Sequence, residues 1–280
     1  MKPETIRTIR ELRARVSAWR KDELGVGMVP TMGALHRGHL ALIETAQKQC
    51  DHVIVTLFVN PTQFAPTEDL SAYPRDENAD GRKLEELGVD VLFAPLMAEM
   101  YPAGFDTAVI IGGPAAGLET DFRPYHFAGV ATIVAKLLIA GLPDRACFGE
   151  KDFQQLLVVK KLVRDLGLPT EIVGCPTVRE ADGLALSSRN AYLSTEERAL
   201  APTLHSTLQD VAGRIRGGEP AADAVAAGRA GLANSGFAVD YLELRNAETL
   251  APVTSIKAEP LRLLVAAKLG KTRLIDNFAI

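Results

Sequence analysis

The stretch "VGMVPTMGALHRGHL", residues 26–40, carries the chain from a strand into a helix. Val26–Val29 is a short apolar run ending at Pro30, and a helical pattern (Leu40, Leu42, Ile43, Ala46) begins near Gly38. Gly33 and Gly38 have the spacing of a phosphate-binding G-x-x-x-x-G-K-[ST] loop. His39, however, stands where the lysine belongs, and Leu40 replaces the magnesium-binding hydroxyl. His36 and His39 flank the helix start instead. A helix N-terminus offers free N–H groups and partial positive charge, which favours phosphate. Two imidazoles three residues apart can donate to one anion there. The same pair also reads as capping or surface histidines, and as a metal site it lacks a third ligand nearby.

Outward from this unit the pattern repeats. Val53–Val59, "VIVTLFV", is a β-branched run suited to a strand buried on both faces of a parallel sheet. A polar helix follows over about Asp76–Leu87, then a strand at Val89–Phe93. Further along come a helix near Gly129–Ile139, a strand near Arg145–Phe148, a helix at Phe153–Leu166 and a strand near Thr170–Val173. Strand–helix alternation of this kind predicts an α/β fold with a Rossmann-like, doubly wound parallel sheet, whose ligands bind beyond the carboxyl ends of the strands. After about Val178 the character changes. Ser194 and Glu197 form a capping-box pattern at a helix start, an alanine-rich helix covers about Pro220–Ala233, and two strand-like stretches close the chain. The expected organisation is a domain over 1–178 and a smaller α+β domain over 179–280, packed closely.

Bulk properties exclude several classes. The 280 residues are 47% hydrophobic with a net charge of −4, an ordinary globular composition that argues against nonspecific nucleic-acid binding. The first twenty residues read as a charged helix, with Ile6, Ile9, Leu12, Val16 and Trp19 on one face, and Glu4 and Glu11 argue against a transit peptide. No apolar run is long enough to span a bilayer. Cys50, Cys147 and Cys175 stand in no metal spacing and read as reduced core thiols. A cytoplasmic protein without a membrane or nucleic-acid partner is expected.

Three further segments carry chemistry. In "NPTQF", Asn60 and Gln63 offer neutral hydrogen bonds to a carboxylate or hydroxyl, although Asn-Pro is also plain turn chemistry. In "FGEKDFQQL", Asp152 can cap the following helix, whereas Lys151 opposes the helix dipole unless an anion lies between them. Gln155 lies one turn on. In "LSSRN", Ser187, Ser188 and Arg189 read either as an anion clamp or as a solvated linker. Together these segments favour a nucleotide-binding cleft.

The opening stretch resembles the H-x-G-H signature of the nucleotidyltransferase superfamily that includes class I aminoacyl-tRNA synthetases. With "FVNPTQF", "HFAGVATIVAKL", "CFGEKDFQQL", "CPTVREADGLALSSRNAYLS" and "LRLLVAAKLGKTRLIDN", the chain resembles the pantothenate synthetase (pantoate–β-alanine ligase) family from about Thr5 to its end. The resemblance implies an enzyme that joins (R)-pantoate to β-alanine with ATP and Mg2+, through a pantoyl adenylate, releasing pyrophosphate and AMP. It assigns catalysis to His36, His39, Lys151 and Arg189, with His39 at the proton-donor position. Lys151, Ser187, Ser188 and Arg189 would hold phosphates, and Asp152 the magnesium. Met32, Gly33, Gly149, Val178 and Leu186 would contact ATP. Gln63, Gln155 and Asn60 would bind pantoate, with Gln63 also bordering β-alanine. It further implies a homodimer, and a lid formed by Phe64–Tyr73 or the second domain. The chain departs from the family pattern at Tyr125, in place of a glycine, at Thr120, and at Leu186, in place of methionine. A simple adenylyltransferase and a non-catalytic nucleotide-binding module are the alternatives. The GEKD and SSRN blocks count against the first, and intact His39, Lys151 and Arg189 against the second.

Overall fold

Why consecutive residues of these strands are all buried becomes plain in the sheet. In the computed structural model, which describes residues 2–64, 76–253 and 260–280, strands β1 (Glu4–Ile6), β2 (Val26–Thr31), β3 (His52–Leu57), β4 (Val91–Phe93), β5 (Arg145–Gly149) and β6 (Glu171–Cys175) form one sheet. Its order is β1-β4-β3-β2-β5-β6 and every pairing is parallel. The helices before β6 are α1 (Ile9–Lys21), α2 (Arg37–Gln47), α3 (Glu77–Glu86), α4 (Met97–Met100), α5 (Glu119–Phe122), α6 (His126–Gly141) and α7 (Phe153–Leu166). Along β2 and β3, Met28 and Ile54 join the core that contains α1, α6 and α7. Val29, Val53 and Val55 join the core that contains Ile43 of α2 and Leu84 of α3. Alternate residues therefore serve opposite layers, and the β-branched run needs no polar face. The sheet is doubly wound, with its switch point between β2 and β5.

The remaining elements are α8 (Thr195–Leu200), α9 (Thr203–Arg216), α10 (Ala221–Asn234), β7 (Ala238–Asn246), β8 (Leu261–Leu269) and β9 (Thr272–Ala279). β7, β8 and β9 form an antiparallel sheet with β8 in the middle. Leu263, Val265 and Ala267 of β8 pack with Leu204, Leu208 and Val211 of α9, while Leu264 and Ala266 join the core of the first unit. One strand thus seals its own layer and docks the two units together. Ser194 and Glu197 form the expected reciprocal capping box at α8.

The N-terminus corrects one expectation. Ile6 does not share a helical face with Ile9 and Trp19; it lies on β1, paired with Phe93 of β4. The helix starts only at Ile9, behind a Thr8–Glu11 capping box. Local spacing could not reveal this, because the partner strand is far away in the chain. The three cysteines are free, with Cys147 and Cys175 buried. Among the described residues no helix is long and apolar enough to cross a membrane.

Candidate active site

The histidine pair is built into the start of α2. The His36 Nδ1 accepts from the Gly38 N–H at 3.1 Å, and the His39 Nδ1 accepts from the His36 N–H at 3.3 Å. This is a capping box made with imidazoles in place of the usual hydroxyl and carboxylate. Capping and ligand binding are therefore not alternatives: each ring uses Nδ1 on the backbone, which assigns the proton to Nε2. The rings lie 4.1 Å apart, centroid to centroid. Gly38 makes this possible, since a Cβ there would come within 2.8 Å of the His36 ring. Burial, then Lys151, push His36 down to about 4. Burial, then His36, push His39 down to about 3. Both are neutral N–H donors near pH 7.

A residue that sequence reading missed holds the preceding loop. Asp80 of α3, only 2% exposed, accepts from the N–H groups of Ala34 and Leu35, both at 2.8 Å. Lys83 donates to the Leu35 carbonyl at 2.5 Å. An aspartate inside a polar helix carries no local signal of this contact.

After β3, Asn60 is 1% exposed. Its Nδ2 donates to the Gly129 carbonyl at 3.1 Å and to the Gln63 Oε1 at 3.2 Å, while the Tyr101 hydroxyl donates to its Oδ1 at 2.7 Å. Asn60 thereby orients Gln63. The turn lies directly on α6 because residue 129 is glycine: a Cβ would sit 2.4 Å from the Thr62 carbonyl oxygen.

After β5, Glu150–Asp152 form a 3-10 turn leading into α7. Asp152 occupies the N-cap position, but its side chain makes no capping hydrogen bond, contrary to the capping reading. It stands 3.9 Å from the Lys151 ammonium, which is 16% exposed. The polar segment after β6 folds back on itself. Arg179 bridges Ala185, and the Leu186 N–H donates to the Val178 carbonyl at 3.0 Å, bringing these two distant positions side by side. Ser187 then starts a 3-10 turn over Ser188–Tyr192, accepting from the Arg189 N–H at 3.3 Å. Tyr125 has φ −100°, open to any residue, and its side chain is 77% exposed, so no glycine is needed there.

These four segments meet. One cavity at the carboxyl ends of β2, β3 and β5 is lined by Met32, His36, His39, Asn60, Gln63, Gly149, Lys151, Asp152, Gln155, Val178, Leu186, Ser187, Ser188 and Arg189. Of the expected residues only Gly33 lies outside it; at φ +90° it turns the loop. A second cavity shares Met32, Gln63, Lys151, Asp152, Gln155, Ser187 and Arg189 and continues between the two units, past Glu119, Arg123, Tyr241 and Arg273. Sequence reading missed this extension. A local signal for it is the density of polar and charged residues in a strand that runs into the core, as in "TRLIDN". Of the expected lid loop only Phe64 is among the described residues; residues 65–73 lie outside them.

Comparison with known proteins places the chain in a family. The family model for pantoate-beta-alanine ligase matches residues 4–279. The chain is 54% identical to the pantothenate synthetase of Rhodopseudomonas palustris over 99% of both chains. It is 55% identical to that of Rhodospirillum rubrum over 98% of both. The crystal structure of the Thermus thermophilus pantothenate synthetase superposes with a TM-score of 0.92 at 51% identity, over 98% of both chains. The Francisella tularensis pantoate-beta-alanine ligase, complexed with beta-gamma ATP and beta-alanine, superposes with a TM-score of 0.82 at 34% identity, over 99% of this chain and 97% of that one. Sequence and fold agree, and the chain belongs to the pantoate–β-alanine ligase family.

Proposed function

We propose that this chain condenses (R)-pantoate with β-alanine, consuming ATP and releasing pyrophosphate and AMP, the reaction of its family. The observation that carries the reading is the convergence of His36, His39, Lys151 and Arg189 with Gln63 and Gln155 on one cavity. The first four supply donors for a polyphosphate, and the glutamines supply neutral donors and acceptors for a hydroxy acid.

In the first step the pantoate carboxylate oxygen attacks the α-phosphorus, and the bond to the pyrophosphate oxygen breaks. No protein nucleophile is required. The work is positioning and stabilisation of charge on the phosphate oxygens. Neutral His36 and His39 donate from Nε2–H, Lys151 supplies a cation at the strand-to-helix turn, and Arg189 with Ser187 and Ser188 follows the departing pyrophosphate. In the second step the β-alanine amine attacks the acyl carbon and AMP leaves. Asn60 keeps Gln63 aimed at the acid.

Mg2+ fits this donor set. Among the described residues no three His, Cys, Asp or Glu cluster as a metal cage. Magnesium, however, commonly binds through one or two carboxylates plus substrate phosphates. Asp152, with 46% of its side chain exposed beside Lys151, would be that carboxylate. The ion would neutralise phosphate charge. The division at Val178 into a nucleotide- and pantoate-binding domain and a smaller closing domain is supported by the separate core around α9 and α10. A homodimer and a cytoplasmic location complete the reading; sedimentation and cell fractionation test them.

The deciding experiment supplies ATP, magnesium, pantoate and β-alanine and follows both phosphorus products. Pyrophosphate release should need pantoate, and AMP release should also need β-alanine. AMP formation indifferent to both acids would sink the reading.

A further inference from the structure

The C-terminal block "LRLLVAAKLGKTRLIDN" has no part in the chemistry just described, yet two of its residues grip the turn that presents Lys151. The Asn277 side chain, on a residue 4% exposed, donates from Nδ2 to the Glu150 carbonyl at 2.8 Å and to the Lys151 carbonyl at 2.9 Å. Its Oδ1 accepts from the Arg262 Nε–H at 2.8 Å, which settles the orientation of the amide. Arg262 holds the same turn twice more. Its guanidinium lies 4.0 Å from the Phe153 ring centroid, and its Nη2 donates to the Glu150 carboxylate at 3.2 Å. Two consecutive carbonyls at the start of α7 are thus satisfied from β9 rather than by water. Hydrogen bonds to the peptides on both sides of the Lys151 Cα restrict its backbone rotation and therefore the direction of its side chain.

We propose that Asn277, oriented by Arg262, is a positioning residue for Lys151, so that the small C-terminal sheet places the phosphate-binding cation. The inference rests on the ligase reading given above. It differs from a purely structural role in what it predicts for the two substrates. Loss of fold lowers the active fraction and leaves both KM values unchanged. A misaimed Lys151 weakens ATP specifically.

The test is Asn277→Asp, which keeps the shape, removes the donors and sets a negative charge against two carbonyl oxygens. Pantoate-dependent exchange of pyrophosphate into ATP is measured beside the unaltered protein. We expect KM for ATP to rise at least fivefold, kcat to fall tenfold or more, and KM for pantoate to stay within twofold. An ATP KM within twofold of the original, or parallel rises in both KM values, overturns the proposal. Should Asn277→Asp fail to fold by circular dichroism, Arg262→Leu decides. That change leaves Asn277 in place but frees its amide, and KM for ATP should rise by a smaller factor; no rise overturns the proposal. Absence of pantoate-dependent exchange in the unaltered protein would refute the ligase reading instead.

Discussion

Arg273 of β9 donates through Nη1 to both carboxylate oxygens of Glu119, at 2.6 and 2.9 Å, across the seam between the two units. The Arg273 Nε also donates to Asp240 at 2.7 Å, and the Tyr241 hydroxyl donates to Glu119 at 3.3 Å. The Glu119 side chain is only 9% exposed. A nearly buried pair of this kind is costly to break from one side, because the remaining charge stays desolvated. Arg273→Leu should therefore destabilise the protein by about 3 kcal/mol or more, measured by urea unfolding. A loss below about 0.5 kcal/mol would show the pair to be solvent-screened.

Glu119 also makes stability depend on acid. Burial alone would raise its carboxyl, but Arg273, with Arg123 and His126 behind it, holds it below the ordinary 4.5. A depressed carboxyl contributes stability above its unfolded value and loses it as pH falls through the lower folded value. Glu119→Gln should accordingly flatten the unfolding free energy against pH below about 4.5. An unchanged slope would remove Glu119 from the account.

The histidine pair acts in a higher window. Both imidazoles titrate below the ordinary 6.5, at about 4 for His36 and about 3 for His39. Between 6.5 and 4 the unfolded chain takes up protons that the folded protein refuses, so stability declines as pH falls through this range. His39→Asn should reduce that slope. Nitrogen-15 NMR should find both rings as neutral Nε2–H tautomers at pH 7, and midpoints near 6.5 would contradict the geometry.

His39→Ala and Lys151→Ala should each leave the fold in place yet lower adenylate formation by roughly two to three orders of magnitude, the scale of a lost charge-stabilising donor. Single-turnover pyrophosphate release measures this. Near-normal rates in either variant would remove that residue from the site.

Gly129→Ala tests the contact beneath Gln63. The added methyl would lie 2.4 Å from the Thr62 carbonyl oxygen and 2.7 Å from the Gln63 nitrogen, so the turn must move. Overpacking of this kind costs about 1–3 kcal/mol, and KM for pantoate should rise along with it. Unchanged stability and KM would mean that the turn yields freely.

Much of the sheet and most of the site were legible in the sequence, for a local reason. The runs in β2 and β3, the capping box of α8, and the glycine-flanked histidines all act within one or two turns of chain, where side-chain spacing maps directly onto backbone geometry. Three of the loop segments follow directly on strands β2, β3 and β5, whose carboxyl ends place them, whereas Ser187–Arg189 lies in the irregular segment after β6. Ile6 was misread for the converse reason: β1 has three residues, and its pairing with β4 crosses more than eighty positions.

The tertiary structure alone decided what supports the site. Asp80 beneath the Ala34–Leu35 loop, Asn60 on the Gly129 carbonyl, and Arg273 on Glu119 join residues that sequence reading had left unconnected, because the partners lie 46, 69 and 154 positions apart. Asn277 at the Lys151 carbonyl spans 126 positions. A side chain's partner is fixed by where strands and helices stack, and that stacking is settled by the whole core at once. The sequence by itself therefore named the groups that line the cavity, whereas only the packed fold showed which groups hold them in place.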